Sequence, residues 1–245
     1  MKTLKKSPIE NYLNLEFGED NSIWLTNSYT LRKTIGILGM ALPLLLFIFL
    51  WIDNGFASPL ESISHYYYTR VSGIFVAIMA ILAIFLIIYK GKEPMDFFIS
   101  FAAGIAALLV VFFPTGNISE ICCDSTKIYS VTKLVPNTFR ENFHYIAAAV
   151  FLGCLAYMSF FIFTKSNKSV QKRGRMKIVR NRIYRACGVI MILAMTVILL
   201  GGLFKLIPEE TYAANQITFW METVAVESFG FSWLIKGESI FKDRE

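Results

Sequence analysis

Six continuous apolar runs separated by polar connections dominate this chain, each long enough to cross a hydrocarbon core of ~30 Å. Within lipid the backbone has no water to bond, so only helices and closed barrels can satisfy its polar groups. Barrel strands alternate apolar and polar residues with a period of two, and these runs do not alternate. The sequence therefore predicts an all-α, polytopic integral membrane protein, a bundle of six transmembrane helices.

Composition agrees. Charged residues make up 17% of the 245 positions and apolar residues 55%, whereas a soluble domain carries about 25% charge. Four cysteines in a chain of this length do not form a disulfide scaffold. The first 33 residues are polar and mixed in charge, with no apolar core segment, so no cleavable signal peptide is expected.

The spans are expected at about 34–52, 71–89, 95–113, 144–164, 186–207 and 217–235, within a single membrane domain of residues 34–236. A tail of residues 1–33 precedes it and a short charged tail, 237–245, follows. Leu42-Pro43 falls inside the first span, where a membrane helix tolerates proline if neighbours satisfy the freed carbonyl. Asp53-Asn54-Gly55 and Ser58-Pro59 break the chain before the second span, and Lys90-Gly91-Lys92-Glu93-Pro94 makes a tight connection to the third. Lys165 to Arg185 is read as a basic loop and Pro208-Glu209-Glu210 as an acidic turn.

Six spans put both termini on one side. Of the 24 Lys and Arg residues, nineteen fall on that side; Arg70, Lys127, Lys133, Arg140 and Lys205 fall on the other. Positive charge is retained on the cytoplasmic face, so the termini are expected to be cytoplasmic, in a plasma membrane or a bacterial inner membrane. This segregation also explains the net charge of +6 without a nucleic-acid partner.

The densest run of chemically capable side chains is Ser62-Ile63-Ser64-His65-Tyr66-Tyr67-Tyr68-Thr69-Arg70, at the outer boundary of the second span. His144 and Tyr145 open the fourth span on the same face, and Glu222 lies in the outer part of the sixth. His65, Tyr66, Tyr67, Arg70, His144, Tyr145, Glu222 and Glu227 are therefore the candidate ligand-binding residues. Each has a plainer reading. Tyrosines belong to interfacial belts, histidines cap helix ends, and Arg70 can snorkel. An ionisable group inside a membrane helix is costly and points to function or to a buried pair. Glu222 and Glu227 are separated by roughly 140° around a helix and ~7.5 Å along it, so they form no dyad; Arg70 or Lys205 is the expected partner of Glu222. Two distant histidines fall short of the three ligands a metal needs, so neither metal nor other cofactor is expected. Cys122 and Cys123 face the oxidising side, and Asn117-Ile118-Ser119 is a glycosylation sequon on that side.

Phe112-Phe113-Pro114-Thr115 closing the third span and His144-Tyr145 opening the fourth resemble the six-helix family of DRAM-like and Sfk-like membrane proteins and its bacterial relatives. Trp220-Met221-Glu222 is compatible with that pattern. The resemblance implies the span count, the topology and a link to membrane-lipid processes, with His144 and the Phe113-Pro114 boundary on the site face. It implies no reaction. Ceramidase-like membrane hydrolases use several helix histidines, and this chain has two.

The functional expectation is an outward-facing polar pocket that binds or senses a lipid headgroup or small amphiphile, with membrane lipids as partners and a homo-oligomer as an open alternative. Two other readings stand beside it: a lipid-modifying enzyme using His65 or His144 as base, and an oligomeric ion or proton pathway through Glu227. A purely structural membrane partner is the fourth.

Overall fold

The structure is a computed structural model in which residues 27–119, 130–166 and 175–237 are described. The expectations for Cys122, Cys123 and Lys127, and for most of both tails, lie outside the described residues. Among the described residues all regular secondary structure is helical, apart from one isolated bridge between Thr69 and Ser130.

The helices are α1 (Ser28–Asn54), α2 (Ser72–Ile88), α3 (Pro94–Phe112), α4 (Thr138–Tyr157), α5 (Arg175–Ile198), the short α6 (Glu209–Ala214) and α7 (Ile217–Lys236). A 3-10 turn covers Ile63–Tyr68, and π-helical turns extend α4 through Met158–Ile162 and α5 through Leu199–Leu203. Local chemistry sets the ends. The Asn27 side chain accepts from Tyr29 N–H at 2.9 Å, and that of Asn137 accepts from Arg140 N–H at 3.1 Å. Gly55, at φ 72°, closes α1 in the left-handed conformation with its N–H on the Trp51 carbonyl. Pro43 lies buried within α1 without ending it.

Among the described residues, four stretches are long and apolar enough to cross a membrane: Ser28–Asn54, Pro94–Phe112, Thr138–Ile162 and Arg175–Leu203. α2 is as apolar but has 17 residues. α7 carries two carboxylates and packs most extensively against α1 and α5, which shelter it. Leu44, Ile84, Phe112, Ile146, Leu193 and Leu203 stand exposed on five different helices and one π-turn. Apolar surface distributed in this way belongs to a protein embedded in a membrane, since in water it would drive aggregation.

Consecutive long helices pack side by side from α1 to α5, and α7 closes the circuit between α5 and α1. The α1–α7 crossing is glycine on glycine: a Cβ on Gly230 would stand 2.7 Å from the Gly36 carbonyl oxygen, and one on Gly36 2.7 Å from that of Gly230. Small residues let membrane helices approach to backbone contact, where dispersion replaces the hydrophobic drive that lipid removes.

The basic segment differs from the expected loop. α5 begins at Arg175, so Lys177, Arg180, Arg182 and Arg185 are helical. Arginine and lysine are good helix formers; their charge ends the apolar run without ending the helix. The acidic turn similarly contains α6, and Lys205 pairs with Glu209 at 3.1 Å across its start.

Candidate polar site at one end of the helices

Residues 56–71 do not form an open loop. They fold over the C-terminal end of α1 and the N-terminal end of α2, with Leu60, Ile63, Tyr66, Tyr68 and Val71 buried. Hydrogen bonds fix the segment to three other parts of the chain. Phe219 N–H donates to the Glu61 carbonyl at 2.9 Å, and Val131 N–H donates to that of Tyr68 at 2.9 Å. The Tyr68 hydroxyl donates to the Thr115 carbonyl at 2.5 Å. The 3-10 turn then aims its polar side chains inward, leaving His65 9% and Ser64 7% exposed.

Two serine–histidine pairs result. Ser62 Oγ lies 2.7 Å from His65 Nδ1, and Ser64 Oγ lies 3.1 Å from His144 Nε2. The partners determine the proton positions. His144 Nδ1 faces two carbonyls, of Phe113 at 2.8 Å and Val110 at 3.2 Å. Carbonyls only accept, so Nδ1 carries the hydrogen and Nε2 of the neutral ring accepts from Ser64. His65 Nε2 lies 3.4 Å from Glu61 Oε2. A carboxylate likewise only accepts, so Nδ1 of the neutral ring accepts from Ser62. The second Glu61 oxygen accepts from Ser119 N–H at 3.1 Å and from the Ser119 hydroxyl. Glu222 Oε2 accepts from Ile63 N–H at 2.7 Å.

The candidate residues divide accordingly. His65, His144 and Glu222 meet at this end of the helices. Tyr66 is fully buried and packs on the Phe219 ring, with centroids 6.1 Å apart; burial raises its phenol above the ordinary value. Tyr67 stands edge-on to Tyr68. Arg70 and Tyr145 are exposed at the rim. Glu227 is separate: it lies half-buried farther along α7, with no hydrogen bond or ion pair to a described residue. Glu222 pairs with neither Arg70 nor Lys205: its Oε2 accepts from the backbone N–H of Ile63, and Lys205 pairs with Glu209. The Asn117 side chain is clamped to Leu134, donating to its carbonyl at 2.8 Å and accepting from its N–H at 3.0 Å; a glycan would be joined at the nitrogen that makes the first of these bonds.

Sequence reading passes over Glu61, and although Ser62 and Ser64 fall in its polar run, Thr115 in the boundary of the third span and Ser119 in the sequon, it gives none of them a part in the site. A signal for two of them is present. In a helical turn Glu61 and His65 are four apart and Ser62 and His65 three, the spacings that bring side chains together. Among the described residues, no three His, Cys, Asp or Glu side chains converge as a metal site would require.

The His65 ring is held below its ordinary pKa of 6.5, first by burial and further by His144, with Glu61 opposing. The folded state thus binds the His65 proton less readily than the unfolded chain. Its stabilising contribution is complete above about pH 6.5 and is lost as pH falls through the folded-state value, each tenfold weakening of proton affinity costing about 1.4 kcal/mol. In detergent the wild-type melting temperature is expected to drop between pH 7 and pH 5, and His65→Gln to flatten that slope. Parallel pH profiles for the two proteins would contradict this assignment.

Comparison with protein-family models, curated proteins and solved structures finds no match to this chain.

Proposed function

We propose that the chain is a six-span cell-membrane protein with cytoplasmic termini that binds or senses a lipid headgroup or small amphiphile at its outer end. α2 and α7 complete the six spans. The support for orientation is the lysine and arginine segregation in the sequence, nineteen against five. The observation that carries the function is the pair of buried serine–histidine hydrogen bonds at one end of the helices. They hold two imidazoles, from segments far apart in sequence, beside the Glu61 and Glu222 carboxylates. The exposed Arg70 and Tyr145 lie at the rim, where an anionic or hydroxylated headgroup would first make contact.

Native mass spectrometry of the protein released from mild detergent tests this reading. The wild-type protein is expected to retain a discrete bound amphiphile that the double variant His65→Ala/His144→Ala loses while staying folded. Equal apo masses for both proteins would count against the site.

One observation favours a second reading, a lipid-modifying enzyme. Ser64 Oγ donates to His144 Nε2 while backbone carbonyls hold Nδ1–H, which is the arrangement of a nucleophile, a base and an orienting group. On that reading a fluorophosphonate labels Ser64, and both Ser64→Ala and His144→Ala abolish labelling. No adduct after prolonged incubation would leave the binding reading alone.

A further inference from the structure

The opposite ends of the same helices enclose a second polar feature. A cavity of about 290 Å³ opens there, and its walls include Arg32 of α1, Lys92 before α3, Lys165 after α4, Lys177 and Arg180 of α5, and Lys236 of α7. Six cations from five segments share one space. Among the described residues of that lining, Asp96 supplies the one carboxylate.

That carboxylate is already committed. Asp96 Oδ1 accepts from Lys165 Nζ at 2.6 Å, and Oδ2 accepts from the backbone N–H groups of Lys92 at 2.9 Å and Glu93 at 3.3 Å. Glu93, outside the lining, also accepts from Lys165, at 2.7 Å. Among the described residues, Asp96 and Glu93 thus both act on Lys165. Arg32 and Lys236 meet no carboxylate among the described residues. The Arg32 guanidinium lies over the Tyr29 and Tyr89 rings, 5.7 and 6.0 Å from their centroids, with its Nε buried and without a hydrogen-bond partner. Lys236 Nζ has the Phe163 carbonyl at 3.4 Å and the ring of that residue at 5.4 Å.

The walls are braced. Trp233 is fully buried and stands edge-on to Tyr89 and Phe163, each at 5.1 Å, and Phe163 stands edge-on to Tyr184 at 5.6 Å. Tyr89 and Tyr184 line the cavity, so this aromatic hub fixes its shape. Arg32 and Lys236, which meet no carboxylate among the described residues, share this preformed, partly enclosed space, where like charges repel one another unless an anion joins them. A phosphate group matches the donor set: several acceptor oxygens on one centre suit a forked guanidinium and point-charged ammonium groups together. Basic pockets between membrane helices on the cytoplasmic side bind anionic headgroups in this way.

We propose that this cavity binds a phosphate group, carried either by a lipid of the adjoining leaflet or by a small soluble molecule. The site is separate from the histidine site at the other end and does not depend on it.

Calorimetric titration of the full-length protein in detergent tests this, with dihexanoyl phosphatidic acid and inorganic phosphate as probes. Wild type is expected to bind at least one probe, and Arg32→Gln/Lys236→Gln to bind it at least tenfold more weakly. Binding of phosphatidic acid alone assigns the lipid source. Binding of inorganic phosphate, alone or as well, assigns recognition to the phosphate group itself. Lys92 is exposed, so Lys92→Gln keeps the fold and is expected to weaken binding about threefold, which preserves the test if the double variant fails to fold. The proposal is overturned if neither probe binds wild type, or if the folded variants bind as tightly as wild type.

Discussion

Gly230→Leu is expected to abolish the folded protein. A Cβ at Gly230 would stand 2.4 Å from Met40 Cγ, 2.7 Å from the Gly36 carbonyl oxygen and 3.0 Å from Met40 N. Two of those atoms are backbone and cannot turn aside. α7 would have to move away from α1, exposing Glu222 and Glu227 on the helix that most needs shelter. Gly230→Ala, a single added methyl, should cost about 1–3 kcal/mol by overpacking; the longer leucine branch has no route out. The readout is size-exclusion chromatography and thermal unfolding in detergent. Gly73 is the control. It is also helical, but a Cβ added there would meet nothing within 4 Å, so Gly73→Ala should match or exceed wild type through helix propensity, a gain of up to about 1 kcal/mol. A monodisperse Gly230→Leu with wild-type stability would show that the α1–α7 crossing is not as close as described.

His144→Ala is expected to cost about 2–4 kcal/mol, the sum of two losses. The imidazole joins three elements: its Nδ1–H serves the carbonyls at the end of α3, its Nε2 receives Ser64, and its ring fills buried space in α4. Truncation leaves buried acceptors and a hydroxyl without partners, at about 1–3 kcal/mol for such a loss, and adds a cavity. His144→Asn separates the two roles. Its amide can still donate toward the Phe113 carbonyl but cannot reach Ser64, so it should recover part of the stability and none of any Ser64 reactivity. Equal losses in both variants would mean that the ring acts by volume alone.

The helices are largely legible in the sequence because lipid imposes one rule on every span. Expected spans at 71–89, 95–113 and 217–235 correspond to α2, α3 and α7 within a residue or two. The misplaced boundaries share one cause. α1 begins at Ser28, α4 at Thr138 and α5 at Arg175, each earlier than the apolar run. Hydropathy detects where lipid contact ends, whereas helices continue until a cap such as Asn27 or Asn137 stops them. His65, His144 and Glu222 stand out because an ionisable group at a membrane boundary is conspicuous in sequence. Ser62 and Ser64 fall in the same run but gain no role from it, because a serine has significance only once its neighbour in space is known. The same holds for Gly36 and Gly230, whose contact joins opposite ends of the chain. In place of the cation expected beside it, Glu222 holds a backbone N–H, which no pattern of side chains reveals. The basic cavity is hidden behind the orientation signal, since one count of lysines and arginines serves both purposes.

The central claim is that the histidine site and the basic cavity lie on opposite sides of one membrane. Arg70 and Lys92 are exposed at the two ends. Each is changed to cysteine in a background with Cys122, Cys123, Cys154 and Cys187 replaced by serine, and intact cells are treated with a membrane-impermeant maleimide. Arg70→Cys is expected to be labelled at once, and Lys92→Cys only after permeabilisation. Labelling of both in intact cells would contradict the claim, and labelling of Lys92→Cys alone would reverse the proposed orientation.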